Sequence, residues 1–155
     1  MKNILITGGA GFIGSHLIKL LLTKYPEYNI INMDILTYAG NIANLENVET
    51  YENYTFLNCN ICDFKKVKQI FKNYKIDSVI HLAAESHVDR SIESPDDFIQ
   101  TNIFGTYNLL EAARKYWVSL NKNSKNNFIF HHVSTDEVYG DLSDLDLLFT
   151  EESSY

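Results

Sequence analysis

Cysteine, long apolar runs and basic charge are scarce in this sequence, and each scarcity excludes a class of protein. Two cysteines in 155 residues cannot form a disulfide framework and suit a reducing compartment, so we expect a cytoplasmic protein. The longest apolar runs fall far short of the roughly 20 residues that a membrane-spanning helix needs. Thirteen basic residues against twenty acidic ones give a net charge of −7, which is unfavourable for binding nucleic acid or an anionic membrane.

The first residues carry no sign of a secretory signal. Met1-Lys2-Asn3 leads directly into a strand-like run and then into glycines, without the apolar core and small-residue cleavage site of a signal peptide. The length favours a single domain with enough chain to bury a real core.

Strand-like and helix-like segments alternate along the chain. Short β-branched or aromatic runs at residues 4–6, 30–33, 54–57, 78–82 and 128–133 predict five strands. This alternation implies right-handed crossovers and a parallel sheet with helices on both faces. We therefore predict an α/β fold with a Rossmann-type doubly wound sheet of strand order 3-2-1-4-5, in which residues 1–155 form one dinucleotide-binding domain.

Helical periodicity between the strands predicts three apolar faces. The first face comprises Phe12, Ile13, Leu17, Leu20 and Leu21, in a helix that ends before Pro26. The second follows a cap at Asp63 and comprises Val67, Ile70, Phe71 and Tyr74. The third follows the start signal Ser94-Pro95-Asp96-Asp97 and comprises Phe98, Ile99, Ile103, Tyr107, Leu110 and Ala113. Residues 121–127 are predicted to be a polar linker.

Three glycines after the first strand have the spacing G-x-x-G-x-x-G. Gly8 would permit a tight turn, Gly11 the close approach of a diphosphate, and Gly14 close packing of the helix on the sheet. The diphosphate would bind the unpaired N–H groups that begin the helix. Asp34 closes the second strand, where a carboxylate binds the adenosine ribose hydroxyls and repels a 2′-phosphate. Because no arginine adjoins Asp34 in sequence, we predict NAD rather than NADP.

Polar residues also follow the fourth and fifth strands, at the edge where doubly wound sheets bind ligands. Alanines at 83–84 would let an extended ligand lie against the backbone, and the hydroxyl of Ser86 would bind a phosphate or sugar; the alternative is an ordinary turn. Asp136 and Glu137 are adjacent carboxyls. Partly shielded from water, one would keep its proton while the other stays ionised, as a dehydration requires. The alternative is a solvated acidic loop.

Five strings together resemble the nucleotide-sugar 4,6-dehydratases of the extended short-chain dehydrogenase/reductase superfamily. They are T-G-G-A-G-F-I-G at 7–14, D-I-L-T-Y-A-G-N at 34–41, H-L-A-A-E-S-H-V-D-R-S-I at 81–92, T-N-I-F-G-T at 101–106 and S-T-D-E-V-Y-G-D at 134–141. The resemblance implies conversion of dTDP-glucose into its 4-keto-6-deoxy product with tightly bound NAD. It also implies a homodimer of the full-length enzyme.

The resemblance also assigns roles to residues of this chain. The implied NAD contacts are Phe12, Ile13, Asp34, Ile35, Leu36, Thr37, Asn60, Ile61, Leu82, Ala83, Ala84, Ser86 and Thr101. Ser86 and Thr135 would touch the substrate or the cofactor ribose, and Thr135 would belong to the catalytic group. Asp136 would protonate the departing C6 hydroxyl, and Glu137 would remove the C5 proton. The family usually has Asp where this chain has Asn60, from which we expect a modest effect on cofactor affinity.

The family's oxidation base, a Tyr followed four residues later by Lys on the helix after strand five, has no counterpart up to Tyr155. We therefore expect this chain to correspond to the N-terminal part of such an enzyme, without the substrate domain, and to be inactive alone. Two other functions stay open: a UDP-sugar epimerase, dehydratase or decarboxylase relative, and a non-catalytic NAD-binding remnant.

Three further features have competing interpretations. The pair Cys59 and Cys62 is interpreted as two buried thiols, with no metal site. Asp89-Arg90 is either part of a substrate-side loop or a surface ion pair. The aromatics Tyr107, Tyr116 and Trp117 are expected to pack in the core, with a dimer seam as the alternative.

Overall fold

A parallel five-stranded sheet forms the centre of the molecule. The computed structural model describes residues 2–141 and 148–155. The strands are β1 (Lys2–Thr7), β2 (Tyr28–Asp34), β3 (Tyr54–Asn58), β4 (Ser78–His81) and β5 (Ile129–His132). Their order is β3-β2-β1-β4-β5, and every neighbouring pair is parallel. The predicted fold class and strand order are confirmed.

Six α-helices are assigned in the described residues. They are α1 (Phe12–Lys24), α2 (Phe64–Tyr74), α3 (Val88–Glu93), α4 (Pro95–Phe98), α5 (Thr106–Ser119) and α6 (Lys122–Asn127). A π-helical turn, Ile99–Gly105, joins α4 to α5, and 3-10 turns occur at Ile42–Leu45 and Asp136–Tyr139. None of the helices in the described ranges has the length and apolar character to cross a membrane.

Two predictions about the connections are corrected. The polar linker at 121–127 is wrong, because Asn121 caps α6 by accepting a hydrogen bond from the Ser124 N–H at 3.0 Å. The start of α4 at Pro95 is confirmed, but Ser94 makes no side-chain cap. Its hydroxyl instead donates to the Asp97 carboxylate at 3.3 Å. The cap of α2 is confirmed, since Asp63 accepts from the Lys66 N–H at 3.1 Å.

The sheet is buried on both faces because its central strands are apolar at successive positions. On one face, Leu5 and Ile31 pack with side chains of α2 and α5, such as Phe71 and Leu109. On the other face, Ile4 and Ile30 belong to the cluster that α1 completes. Both layers therefore hold the carboxyl ends of β1, β2 and β4 in a fixed row.

The predicted buried face of α1 is largely wrong. Phe12 and Ile13 are 77% and 67% exposed, and Leu20 is exposed. The side that packs on the sheet carries Gly14, Ser15, Ile18, Leu21 and Leu22. Leucines occur around much of this helix, so apolar periodicity did not define its orientation; the glycine turn before it does.

The predicted buried face of the long helix is also rotated. Ile99, Ile103 and Leu110 are exposed, and Tyr107 is 62% exposed. The buried positions are Leu109, Ala112 and Ala113, of which only Ala113 was predicted. Tyr116 packs in the core as expected, with its ring centre 5.5 Å from that of Phe71. Trp117 is exposed, so core packing is the wrong interpretation for Tyr107 and Trp117.

Candidate functional site

The glycine turn at the end of β1 has a backbone that side chains would obstruct. Gly8 has φ +74°, and a Cβ there would lie 2.7 Å from the Ala83 N atom of the neighbouring strand end. A Cβ on Gly14 would collide with the Gly8 carbonyl oxygen. Both glycines therefore allow α1 to begin directly against the turn and leave an open cradle above it.

The N-terminus of α1 faces this cradle with uncapped amides. Gly11 is the N-cap residue and supplies no side chain, and the first intrahelical bond runs from the Ser15 N–H to the Gly11 carbonyl at 3.0 Å. The N–H groups of Phe12, Ile13 and Gly14 precede that bond and have no intrahelical acceptor. A helix N-terminus of this form favours a phosphate ligand.

Asp34 lies beside the glycine turn. Its carboxylate accepts the Ala10 N–H at 2.9 Å and the Leu36 N–H at 2.8 Å, and only 8% of the residue is exposed. These bonds fix the carboxylate between the turn and the loop after β2, where Leu36 has φ +60°. Ile35 and Thr37 are exposed on this loop.

The end of β4 forms the opposite wall of the cradle. Leu82 and Ala83 are half-buried, and Ala84 and Ser86 are exposed. Asn102, in the π-helical turn next to Thr101, fixes the backbone of this segment at Glu85. Its side chain accepts the Glu85 N–H at 2.8 Å and donates to the Glu85 carbonyl at 2.9 Å. Sequence reasoning missed Asn102, because nothing in a regular helical period marks a π-helical turn, a feature found often at functional sites.

Asn60 and Ile61 lie beyond β3. The Asn60 side chain is exposed and its carbonyl oxygen accepts the Cys62 N–H at 2.8 Å, whereas Ile61 is buried. Cys59 is buried and Cys62 is half-buried, and burial raises the pKa of both thiols. Across residues 2–141 and 148–155, no group of three His, Cys, Asp or Glu side chains is placed to hold a metal ion.

Thr135, Asp136 and Glu137 follow β5 at the same edge of the sheet. Thr135 caps a 3-10 turn by accepting the Glu137 N–H at 3.3 Å, and its hydroxyl lies 3.4 Å from the Asp136 carboxylate. Both acidic side chains are exposed. The described residues therefore do not shield the two carboxyls from water, although the sequence had led us to expect it.

His81, the last residue of β4, is a buried junction that sequence reasoning did not single out. Its Nδ1 lies 2.6 Å from the Thr7 hydroxyl and its Nε2 lies 2.9 Å from the Thr106 hydroxyl. The Thr7 hydroxyl also accepts the Ala83 N–H at 3.3 Å. His81 thus connects the end of β1, the end of β4 and the start of α5 beneath the cradle.

The family follows from a sequence profile that covers nearly the whole chain. The profile described as GDP-mannose 4,6 dehydratase matches residues 5–155. The chain belongs to this dehydratase family. A dTDP-glucose 4,6-dehydratase of Haemophilus influenzae is 54% identical over 155 residues, and one of Neisseria meningitidis is 52% identical over 155 residues. The chain spans 46% and 43% of these two relatives, which is less than half of their length.

Solved structures agree with the dehydratase family. A Streptomyces venezuelae dTDP-glucose 4,6-dehydratase with NAD and TYD bound matches 98% of this chain and 44% of its own, with TM-score 0.83 and 40% identity. A Bacillus anthracis dTDP-glucose 4,6-dehydratase in complex with NAD matches 99% of this chain and 44% of its own, with TM-score 0.81 and 38% identity. A UDP-glucose 4-epimerase of Thermotoga maritima has 35% identity, a TM-score of 0.74 and coverages of 92% and 41%. The epimerase alternative is therefore not favoured.

Proposed function

We propose that this chain is the NAD-binding part of an enzyme that converts dTDP-glucose into dTDP-4-keto-6-deoxyglucose. The observation that supports the proposal is the combination, at one edge of the sheet, of a glycine turn with uncapped helix amides, the Asp34 carboxylate and an Asp-Glu pair. The Haemophilus influenzae relative named for this activity is 54% identical, and its similarity covers every one of these segments.

The residues present fit NAD. The turn that shapes the cradle requires glycine at positions 8 and 14, where a Cβ would collide with the backbone of Ala83 and of Gly8, and the first amides of α1 are uncapped. We propose that these amides bind the diphosphate and that Asp34 binds the adenosine ribose. The other proposed contacts are Phe12, Ile13, Ile35, Leu36, Thr37, Asn60, Ile61, Leu82, Ala83, Ala84, Ser86 and Thr101. When bound, NAD supplies a hydride acceptor and donor.

The proposed chemistry of the chain's own residues is an elimination of water. A ketone at C4 of the sugar acidifies the C5–H bond. Glu137 removes that proton as the general base, and Asp136 protonates the hydroxyl that leaves C6. Thr135 and Ser86 are proposed to hold the sugar nucleotide. Both carboxyls lie on one 3-10 turn, which is capped by the hydrogen bond from the Glu137 N–H to the Thr135 hydroxyl.

A fusion protein tests this function directly. Residues 1–155 would be joined to the part of the Haemophilus influenzae relative that this chain does not match. We expect the fusion to form the 4-keto-6-deoxy product from dTDP-glucose, measured by chromatography, and the 155-residue chain alone to form none. A folded fusion that retains NAD but leaves the sugar unchanged would contradict the proposal and favour a non-catalytic NAD-binding module.

We also propose a homodimer through the apolar outer face of the long helix, defined by Ile103, Phe104, Tyr107, Leu110 and Trp117. All five side chains are exposed. A row of this kind favours a second protein surface. In sedimentation, Tyr107→Glu should shift the fusion from dimer to monomer, whereas Tyr51→Glu, on an exposed tyrosine distant in sequence, should not. A fusion that sediments as a monomer without substitution would contradict the dimer.

The compartment that we propose is the cytoplasm. Its support is the free thiols of Cys59 and Cys62, which a reducing environment preserves.

A further inference from the structure

Tyr38 and Arg90 reach each other from opposite sides of the glycine turn. Tyr38 lies in the loop after β2, and Arg90 lies in α3 after β4. In the sheet, β1 stands between β2 and β4. The guanidinium carbon of Arg90 is 3.9 Å from the centre of the Tyr38 ring. This contact therefore joins two loops across the end of β1, beside the glycine turn.

Both ends of the contact are anchored. On the β2 side, the Leu36 N–H donates to Asp34, and the Asn41 N–H donates to the Ala10 carbonyl at 3.1 Å. These bonds hold the loop on either side of Tyr38. On the β4 side, the two bonds from Asn102 fix the backbone of Glu85. Partial burial and the nearby Glu85 carboxylate raise the pKa of Tyr38, so its hydroxyl stays protonated at neutral pH.

Arg90 is also the one lysine or arginine in the described segments that follow β1, β2 and β4, which are residues 8–15, 34–41 and 82–104. The same segments contain six acidic residues, including Asp34 and Glu85. A diphosphate that enters the crevice between these three segments therefore meets one full positive charge from them besides the amides of α1. Within residues 2–141 and 148–155, no ion pair joins Arg90 to a carboxylate, and this includes the adjacent Asp89.

We propose that Arg90, stacked on Tyr38, closes the crevice over the diphosphate of bound NAD and retains the cofactor. The guanidinium supplies the charge that the diphosphate needs, and the ring of Tyr38 holds the guanidinium flat across the opening. Neither the glycine turn nor Asp34 performs this task. The inference rests on the proposed NAD binding, but it concerns retention and can fail while NAD binding stands.

The test measures NAD, NADP and thymidine diphosphate binding to the 155-residue chain by calorimetry, and NAD loss after rapid gel filtration. The variants are Arg90→Ala, Arg90→Lys, Tyr38→Ala, Tyr38→Phe and the double alanine variant. Arg114→Ala is the matched control, because Arg114 is the chain's other arginine and pairs with Glu111 on the helix surface at 2.7 Å. Circular dichroism verifies that each variant is folded; should Arg90→Ala not fold, Arg90→Lys carries the comparison.

We expect Arg90→Ala and Tyr38→Ala each to weaken NAD binding by about fivefold or more and to speed its loss. Arg90→Lys should weaken NAD binding almost as much as Arg90→Ala does, because an ammonium lacks the planar face that stacks on the ring. Tyr38→Phe and Arg114→Ala should have wild-type values, and the double variant should be no weaker than the worse single variant.

Three results would overturn the inference. The first is unchanged NAD retention in Arg90→Ala, and the second is a strictly additive effect of the two alanine substitutions on NAD binding. The third is weaker binding of NADP or thymidine diphosphate while NAD binding is unchanged. The last result would assign Arg90 to a different phosphate. If the unmodified chain binds no NAD, the proposed function itself fails, and the two failures are thus distinguishable.

Discussion

Glu137→Gln should lower turnover of dTDP-glucose by the fusion protein by about two to four orders of magnitude, the usual contribution of a general base. Gln keeps the size and the hydrogen-bonding shape of the side chain but cannot accept a proton. The backbone N–H of residue 137 still donates to Thr135, so the 3-10 turn should be preserved. The variant should therefore fold and retain NAD while it fails to remove the C5 proton.

Two comparisons make this result specific. Glu27→Gln removes an exposed carboxylate that directly precedes β2, at the opposite end of the strands, and should leave turnover unchanged. Asp136→Asn should also lower turnover, by loss of the acid rather than the base. After incubation in heavy water with the Glu137→Gln fusion, the recovered sugar should carry no deuterium at C5. Turnover within about tenfold of the unmodified fusion would assign the base to another residue.

Acidification should destabilise the chain through His81. The residue is 1% exposed, and burial, with a smaller contribution from neighbouring His132, lowers the pKa of His81 from 6.5 to about 4. In the unfolded chain the imidazole gains its proton near pH 6.5, whereas the folded chain resists protonation until about pH 4. The unfolded state therefore binds more protons in this window, and the free energy of unfolding falls as the pH falls.

The expected loss is about 3 kcal/mol between pH 6.5 and pH 4, at about 1.4 kcal/mol for each pKa unit. Urea unfolding at a series of pH values measures it. His81→Gln should remove this part of the pH dependence, and His16→Gln, on the exposed side of α1, should leave it in place. Nuclear magnetic resonance provides a check on the unmodified chain: a His81 ring that titrates near pH 6.5 would contradict the account.

The sheet and the glycine turn after β1 were predictable because their signals are local. Short β-branched runs mark the strands, and the glycine spacing after Ile6 reflects a backbone that excludes Cβ atoms at Gly8 and Gly14. The orientation of the helices was not predictable in this way. Apolar side chains occur on more than one side of α1 and α5, and the sheet selected Ile18 and Leu109 over Phe12 and Tyr107.

The supports of the site escaped prediction for a different reason. Asn102 binds Glu85, 17 residues away, and His81 contacts Thr7, 74 residues away. Contacts of this length depend on the topology of the sheet, which brings the ends of β1 and β4 together. Single residues of ordinary type give no sign of them in the sequence. The roles of Asp136 and Glu137 came from resemblance, since exposed carboxyls on a short turn are common.

The claim on which the account depends is that the first amides of α1 bind a diphosphate while Asp34 binds the attached ribose. Calorimetric titration of the folded 155-residue chain with NAD tests it most directly. We predict saturable binding at one site, with NADP at least about tenfold weaker because the Asp34 carboxylate repels a 2′-phosphate. A folded sample that gives no binding heat with millimolar NAD would contradict the claim.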